Sequence, residues 1–214
     1  MTDPLLDQLA KLQTSTLANA LEAIGFDGIM LGLLPAAPGM TLVGRAVTVR
    51  ETTGPKGSFA VEDFKVGHMI DAAGPGEVLV VANGGAPVST WGGMASYAAK
   101  LKGIAGLVCD GGCRDREEIA EFGFPLFSRH MVPTPGKTRL KVEAIGEPIV
   151  CAGVRVRPDD LIVADGTGVV CIPREHAQAV ADAATRFAAD DERAMEEMRE
   201  GLSFTEALKK FAKI

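Results

Sequence analysis

No apolar run in this 214-residue chain approaches the roughly 20 residues that cross a bilayer, and the opening Met1-Thr2-Asp3-Pro4 shows no basic stretch leading into an apolar one. A soluble, cytoplasmic protein with no membrane partner is the expectation. Positive charge is also short, with 22 Lys and Arg against 28 Asp and Glu and a formal net charge of -6. Phosphate backbones are held by clustered Lys and Arg that release counterions, so no nucleic-acid partner is expected. A small anionic substrate remains compatible, because the field around one arginine matters more to it than the net charge.

Metal-finger and nucleotide signatures are missing too. Cys109, Cys113, Cys151 and Cys171 show no paired metal spacing, and His68, His130 and His176 are too scattered to form a ligand motif. Three of the thiols fall in or beside apolar strand-like runs and read as buried and reduced. Cys113, next to Arg114, reads as more exposed and somewhat activated by the neighbouring charge. Glycine is abundant at 25 residues. Yet no G-x-G-x-x-G opens a helix directly after a strand and no phosphate loop is present, which argues against a nucleotide site.

What the chain does have is material for one well-packed core: 47% of its residues are hydrophobic and no charge-rich tail interrupts them. We read residues 1–214 as a single α/β domain. A first helix starts after Ser15 as cap, shows Leu17, Leu21 and Ile24 on one face and stops at Gly25. A strand over 42–50, a helix over 59–72 weakened at Gly67 and the turn Gly74-Pro75-Gly76 follow. Next come a buried strand over 77–82, the turn Asn83-Gly84-Gly85, a helix over 92–101 with Gly103 as its stop, and an apolar run over 104–113. Beyond residue 127 the character changes to short strands over 139–144, 148–156, 161–164 and 169–172, which predict a β-rich layer added to the parallel βαβ core. Residues 174–213 form a C-terminal helical segment whose apolar stripe of Ala177, Val180, Ala181, Ala184 and Phe187 suits packing within the subunit or at a subunit interface.

The chemistry concentrates where the second apolar run ends in Arg114-Asp115. A right-handed crossover puts the loops after both strands on one sheet edge, where open parallel sheets place their sites. Gly92 and Gly93 suit a helix start that a ligand approaches closely, and the first-turn amides of Gly93, Met94 and Ala95 lack helical partners and favour a carboxylate. Arg114 brings a planar fork for an acidic substrate, and Asp115 a hard oxygen for a divalent ion. Alone, such a pair reads as a surface ion pair of little energetic weight, and Asp190-Asp191-Glu192 reads as a solvated helix face. The neighbouring features favour the site.

Asn83-Gly84-Gly85, Trp91-Gly92, Ala98-Ala99, Gly103, Gly106, Asp110-Gly111, Arg114-Asp115, Gly168-Val169-Val170 and Pro173 together strongly resemble the RraA-like family. That family includes 4-hydroxy-4-methyl-2-oxoglutarate aldolases and regulators of ribonuclease E activity. The resemblance implies an α/β/β sandwich of the swivelling-domain type, assembled as a homotrimer or hexamer with active sites between subunits. It implies that Arg114 binds substrate, that Asp115 binds magnesium or manganese, and that the helix-start amides hold a pyruvate carboxylate. The implied activity is metal-dependent cleavage of a 4-hydroxy-2-oxo acid to pyruvate, with decarboxylation of oxaloacetate; the alternative is a non-catalytic regulator that binds a ribonuclease E-type enzyme. No lysine stands in the motif to form a Schiff base. Two features depart from the family pattern. Its aldolases carry an acid after Trp-Gly where this chain has Gly93, and an Asp before Ala-Leu where this chain has Asn19. They also take a glutamate from a neighbouring subunit's C-terminal helix, and spacing back from Glu200-Gly201 places its counterpart at Asp191 or Glu192.

Overall fold

The computed structural model describes residues 3–211. Helices α1 (Pro4–Leu9) and α2 (Thr14–Ala23) open the chain, followed by the two-residue strands β1 (Ile29–Met30) and β2 (Leu34–Pro35) and the long β3 (Leu42–Thr53). A 3-10 turn at Val61–Phe64 and α3 (Val66–Ala72) lead into β4 (Glu77–Ala82), β5 (Ser89–Trp91), α4 (Gly93–Leu101), β6 (Gly106–Cys113), α5 (Arg116–Phe122) and β7 (Leu126–Met131). The remaining strands are β8 (Leu140–Ile145), β9 (Ile149–Cys151), β10 (Val154–Val156), β11 (Leu161–Asp165) and β12 (Gly168–Ile172). Helices α6 (Ala177–Arg199) and α7 (Phe204–Lys210) close the described chain.

The main sheet runs β1-β12-β11-β3-β4-β6-β7-β2, and its centre β3-β4-β6-β7 is parallel. Central parallel strands are covered on both faces, which is why β4 and β6 are apolar at consecutive rather than alternate positions. Leu79, Val81, Leu107 and Leu126 pack under α3, α4 and α5. On the opposite face Val78, Val80, Val108 and Phe127 meet the β9–β10 hairpin through Ile149, Cys151, Val154 and Val156. Helices α1, α2 and α6 cover the antiparallel end, where Leu161, Val163, Val170 and Ile172 pack on the Ala177, Val180, Ala181, Ala184 and Phe187 stripe. The stripe therefore packs within the chain.

The layers are those expected, α on one side and β on the other, but the late strands divide between them. Strands β8, β11 and β12 extend the main sheet, and only the β9–β10 hairpin forms the second β layer. The stretch 148–156 is bent into that hairpin at Ala152 and Gly153, both at positive φ. Residues 59–72 break at Lys65, whose φ of 38° ends the 3-10 turn, and not at Gly67. Ser15 is not the cap of α2. The helix begins at Thr14, and Asp165 caps it from another element by accepting from Thr14 N at 2.8 Å and Thr14 Oγ1 at 2.7 Å. The C-terminal segment is two helices separated at Gly201 (φ 113°); residues 212 and 213 of the expected segment lie outside the described residues.

Candidate active site

Three loops converge at the carboxyl end of the parallel strands. Strand β5 pairs with the end of β6, Trp91 lying beside Cys113, and Arg114 N donates to Trp91 O at 3.0 Å. Trp91 is itself fixed: its ring is buried and stacked on Phe124, and its Nε1 donates to Ser96 Oγ at 2.9 Å. The start of α4 and the end of β6 are thus locked together before any ligand arrives.

Asp115 is the conformational outlier of the site. It adopts φ 61°, ψ 44°, a left-handed geometry that costs most L-residues roughly 1–2 kcal/mol and is tolerated best by Asp and Asn. Although it stands in the cap position of α5, its side chain makes no cap bond there; Oδ2 instead accepts from Gly93 N at 3.0 Å and lies 3.3 Å from Arg114 Nε. That approach explains Gly92, because a Cβ there would sit 2.4 Å from Asp115 Oδ2. Gly93 is equally constrained: a Cβ on it would fall 1.8 Å from Oε2 of Glu118. The space a side chain at position 93 would enter is therefore filled by the Glu118 carboxylate from α5.

Of the three amides expected to bind a carboxylate, that of Gly93 is already used by Asp115. Those of Met94 and Ala95 remain, and both residues line a cavity of about 450 Å³ together with Trp91, Gly92, Arg114 and Asp115. Among the lining residues, no local sequence pattern singles out Thr90, Phe64 or Lys137. Lys137 comes from the loop between β7 and β8, where Gly136 passes so close to β5 that a Cβ would lie 2.4 Å from Ser89 O. Its ammonium has no ion-pair partner among the described residues. The Gly136-Lys137-Thr138 triplet lacks the earlier glycine of a phosphate loop, so only the fold marks Lys137, by carrying it to the Arg114 cavity.

Several motif residues prove structural. Asp110 is buried and accepts from Asn83 N at 2.7 Å and Ala152 N at 3.3 Å, tying β4, β6 and the hairpin together, while the Asn83 amide packs on Gly111 so tightly that no Cβ fits there. Cys113 is fully buried, contrary to its expected exposure, because its side chain faces the core beneath α4 and α5. Asp191 and Glu192 lie on α6 and do not line the cavity of their own chain.

The fold and this constellation match one family. Residues 14–171 fit the RraA-like (Aldolase/RraA) family model, and the chain belongs to that family. It is 32% identical over 188 residues to a putative 4-hydroxy-4-methyl-2-oxoglutarate aldolase of Halalkalibacterium halodurans, covering 87% of this chain and 85% of that one. It is 28% identical over 204 residues to protein DlpA of Legionella pneumophila, 95% of this chain but only 33% of DlpA, so it spans about a third of that protein's length. Among solved structures, Streptomyces coelicolor RraAS2, described as an unusual member of the RNase ES inhibitor RraA protein family, superposes with a TM-score of 0.78 at 28% identity, over 94% of this chain and 98% of that one.

Proposed function

We propose that this chain is a divalent-metal-dependent lyase that cleaves a 4-hydroxy-2-oxo acid of the 4-hydroxy-4-methyl-2-oxoglutarate type to pyruvate and decarboxylates oxaloacetate. The convergence of Arg114, Asp115 and the open amides of Met94 and Ala95 on one cavity carries the reading. Both described contacts of the Asp115 carboxylate fall on Oδ2, which leaves Oδ1 as a hard ligand. Among the described residues no cluster of three or more His, Cys, Asp or Glu is poised to hold an ion. One carboxylate, completed by water and substrate oxygens, is a donor set that fits magnesium and its near relative manganese. When bound, such an ion supplies a Lewis acid that polarises the 2-oxo group.

The chain's own residues do the rest. The Met94 and Ala95 amides hold the substrate C1 carboxylate at the positive end of α4. Arg114 sets its fork against the oxygen on which charge develops as the carbon–carbon bond breaks. Lys137 faces the second carboxylate of a dianionic substrate, so that two cations and one acid surround the ligand. Lys137 is exposed, lacking the desolvation that prepares a Schiff-base lysine. Borohydride added with pyruvate should therefore leave the protein's mass unchanged; a reduced adduct on Lys137 would replace the metal reading with an imine one.

A second reading, regulation of a ribonuclease E-type enzyme by protein contact, is supported by the likeness to RraAS2 and by Met94, Tyr97 and Leu101, which are 83%, 47% and 72% exposed along α4. Coupled detection of pyruvate from oxaloacetate and from 4-hydroxy-4-methyl-2-oxoglutarate separates the two. Release from either supports the lyase; none from both, with magnesium and manganese each supplied, supports the regulator.

A further inference from the structure

Behind the cavity, β3 carries a carboxyl group into the protein interior. Glu51 is 6% exposed and stands where the pairing of β3 with β8 slips between Arg50 and Glu51. Only one of its oxygens is partnered: Thr90 Oγ1 donates to Oε1 at 2.5 Å, while Oε2 is buried without a hydrogen bond among the described residues. The groups around it do not neutralise it. Asp110 on β6 adds a second negative charge, Cys109 on the same strand is a neutral thiol, and the β8 register brings Val142 opposite. Arg50 and Arg155 line, with Glu51, a second cavity of about 600 Å³, but neither is a hydrogen-bond or ion-pair partner of Glu51 among the described residues, and Arg50 is already paired with Glu147. Burial pushes the Glu51 carboxyl up, the Thr90 hydrogen bond draws it partly back and the Asp110 charge raises it again, leaving it at about 7.

Thr90 lines the Arg114 cavity and Glu51 lines the second one, so the Thr90–Glu51 hydrogen bond joins the two. We propose that Glu51 is the proton store of the Arg114 site, exchanging a proton with the substrate through the Thr90 hydroxyl. The proposal rests on the lyase reading above. As the C3–C4 bond of the 4-hydroxy-2-oxo acid breaks, its electron pair passes into the pyruvate enolate. The 4-hydroxyl proton moves to the Thr90 oxygen while the Thr90 proton moves to the Glu51 carboxylate. The reverse relay then delivers a proton to C3 of the enolate, giving pyruvate and restoring the carboxylate. No net proton or electron is consumed. In oxaloacetate decarboxylation the same relay protonates C3, and Glu51 is recharged from solvent through the second cavity.

Glu51→Gln keeps the shape and still accepts from Thr90 but cannot carry the proton. A proton-transfer group contributes about 10²–10⁴-fold. We expect kcat to fall by about a hundredfold or more and its inflection near pH 7 to vanish, with KM and the melting temperature little changed. Wild-type kcat with the wild-type pH profile would overturn the proposal. If Glu51→Gln does not fold, Thr90→Ser and Thr90→Val carry the test with Glu51 intact: the serine should retain turnover and the valine lose it, and equal activity of the two would overturn the relay. An infrared difference spectrum between wild type and Glu51→Gln reports protonation without turnover. A neutral-carboxyl band at pH 6 that shifts when magnesium and oxalate, a mimic of the enolate, are added is expected. Such a shift in a protein that releases no pyruvate would sink the lyase reading while upholding the coupling of Glu51 to the cavity. A missing band, or one indifferent to oxalate, would overturn the proposal itself.

Discussion

At the scale of single residues, Asp115 spends conformational energy to face away from its own helix and toward the start of α4. Replacement by alanine would mix loss of the carboxylate with backbone strain, whereas asparagine tolerates the left-handed region. Asp115→Asn should therefore melt within a few degrees of wild type yet bind magnesium far more weakly by calorimetry and lose at least about a hundredfold in turnover, the scale of one lost electrostatic group in a transition state. Unaltered magnesium binding would remove Asp115 from the metal site. Arg114→Lys keeps the charge but not the fork. Losing a charge-assisted hydrogen bond of roughly 1.5–3 kcal/mol should slow turnover about ten- to a hundredfold, and normal kinetics would mean that Arg114 serves structure. These two residues were legible because they are consecutive and follow an apolar strand. Lys137, Glu118 and Glu51 were not, since each is an ordinary charged residue until β-sheet order and loop closure bring it to the same region.

At the scale of elements, the contact between α4 and α5 controls what position 93 tolerates. Gly93→Asp restores the family's acid in sequence, but its Cβ claims the space of the Glu118 carboxylate. Because that carboxylate ends a flexible side chain, the cost is at the low end of overpacking, about 1 kcal/mol. We expect a lower melting temperature for Gly93→Asp and recovery of most of it in the pair Gly93→Asp, Glu118→Ala; an unperturbed single variant would mean the two groups do not compete. The start of α2 supplies a pH test. Burial opposes ionisation of Asp165, but hydrogen bonds from Thr14 N, Thr14 Oγ1 and Thr167 N prevail and hold its carboxyl below its ordinary value. A lowered folded-state pKa contributes stability that is present above the unfolded value of about 3.9 and is lost as pH falls through the folded one. Asp165→Ala should therefore cost about 1 kcal/mol in urea melts at pH 7, with the gap to wild type closing below about pH 4. A constant gap down to pH 3 would contradict an ionised cap. The sequence favoured Ser15 as cap because local pattern cannot see a residue arriving from β11.

At the scale of the whole molecule, the sheet centre was readable from its continuous apolar runs, and β4, α4 and β6 lie where the periodicity put them. The antiparallel extension by β11 and β12 was not, because short strands that are apolar throughout carry no mark of which sheet they join. Among the described residues no helix is long and apolar enough to cross a membrane. Among the described residues of one chain the cavity is lined by a single acid, Asp115, and Asp191 and Glu192 stand elsewhere on α6. We propose that a second copy completes the site with one of them, in a homotrimer or hexamer. Sedimentation should then show trimers or larger, and a fully active monomer would contradict shared sites. The central claim is that Asp115 anchors a divalent ion for pyruvate-forming cleavage. Its most direct test is pyruvate release from oxaloacetate by chelator-stripped protein during a magnesium titration, wild type beside Asp115→Asn. If Asp115 anchors the ion, pyruvate release is absent without metal, recovers saturably in the wild type and does not recover in the variant; release undiminished in excess chelator would contradict that role.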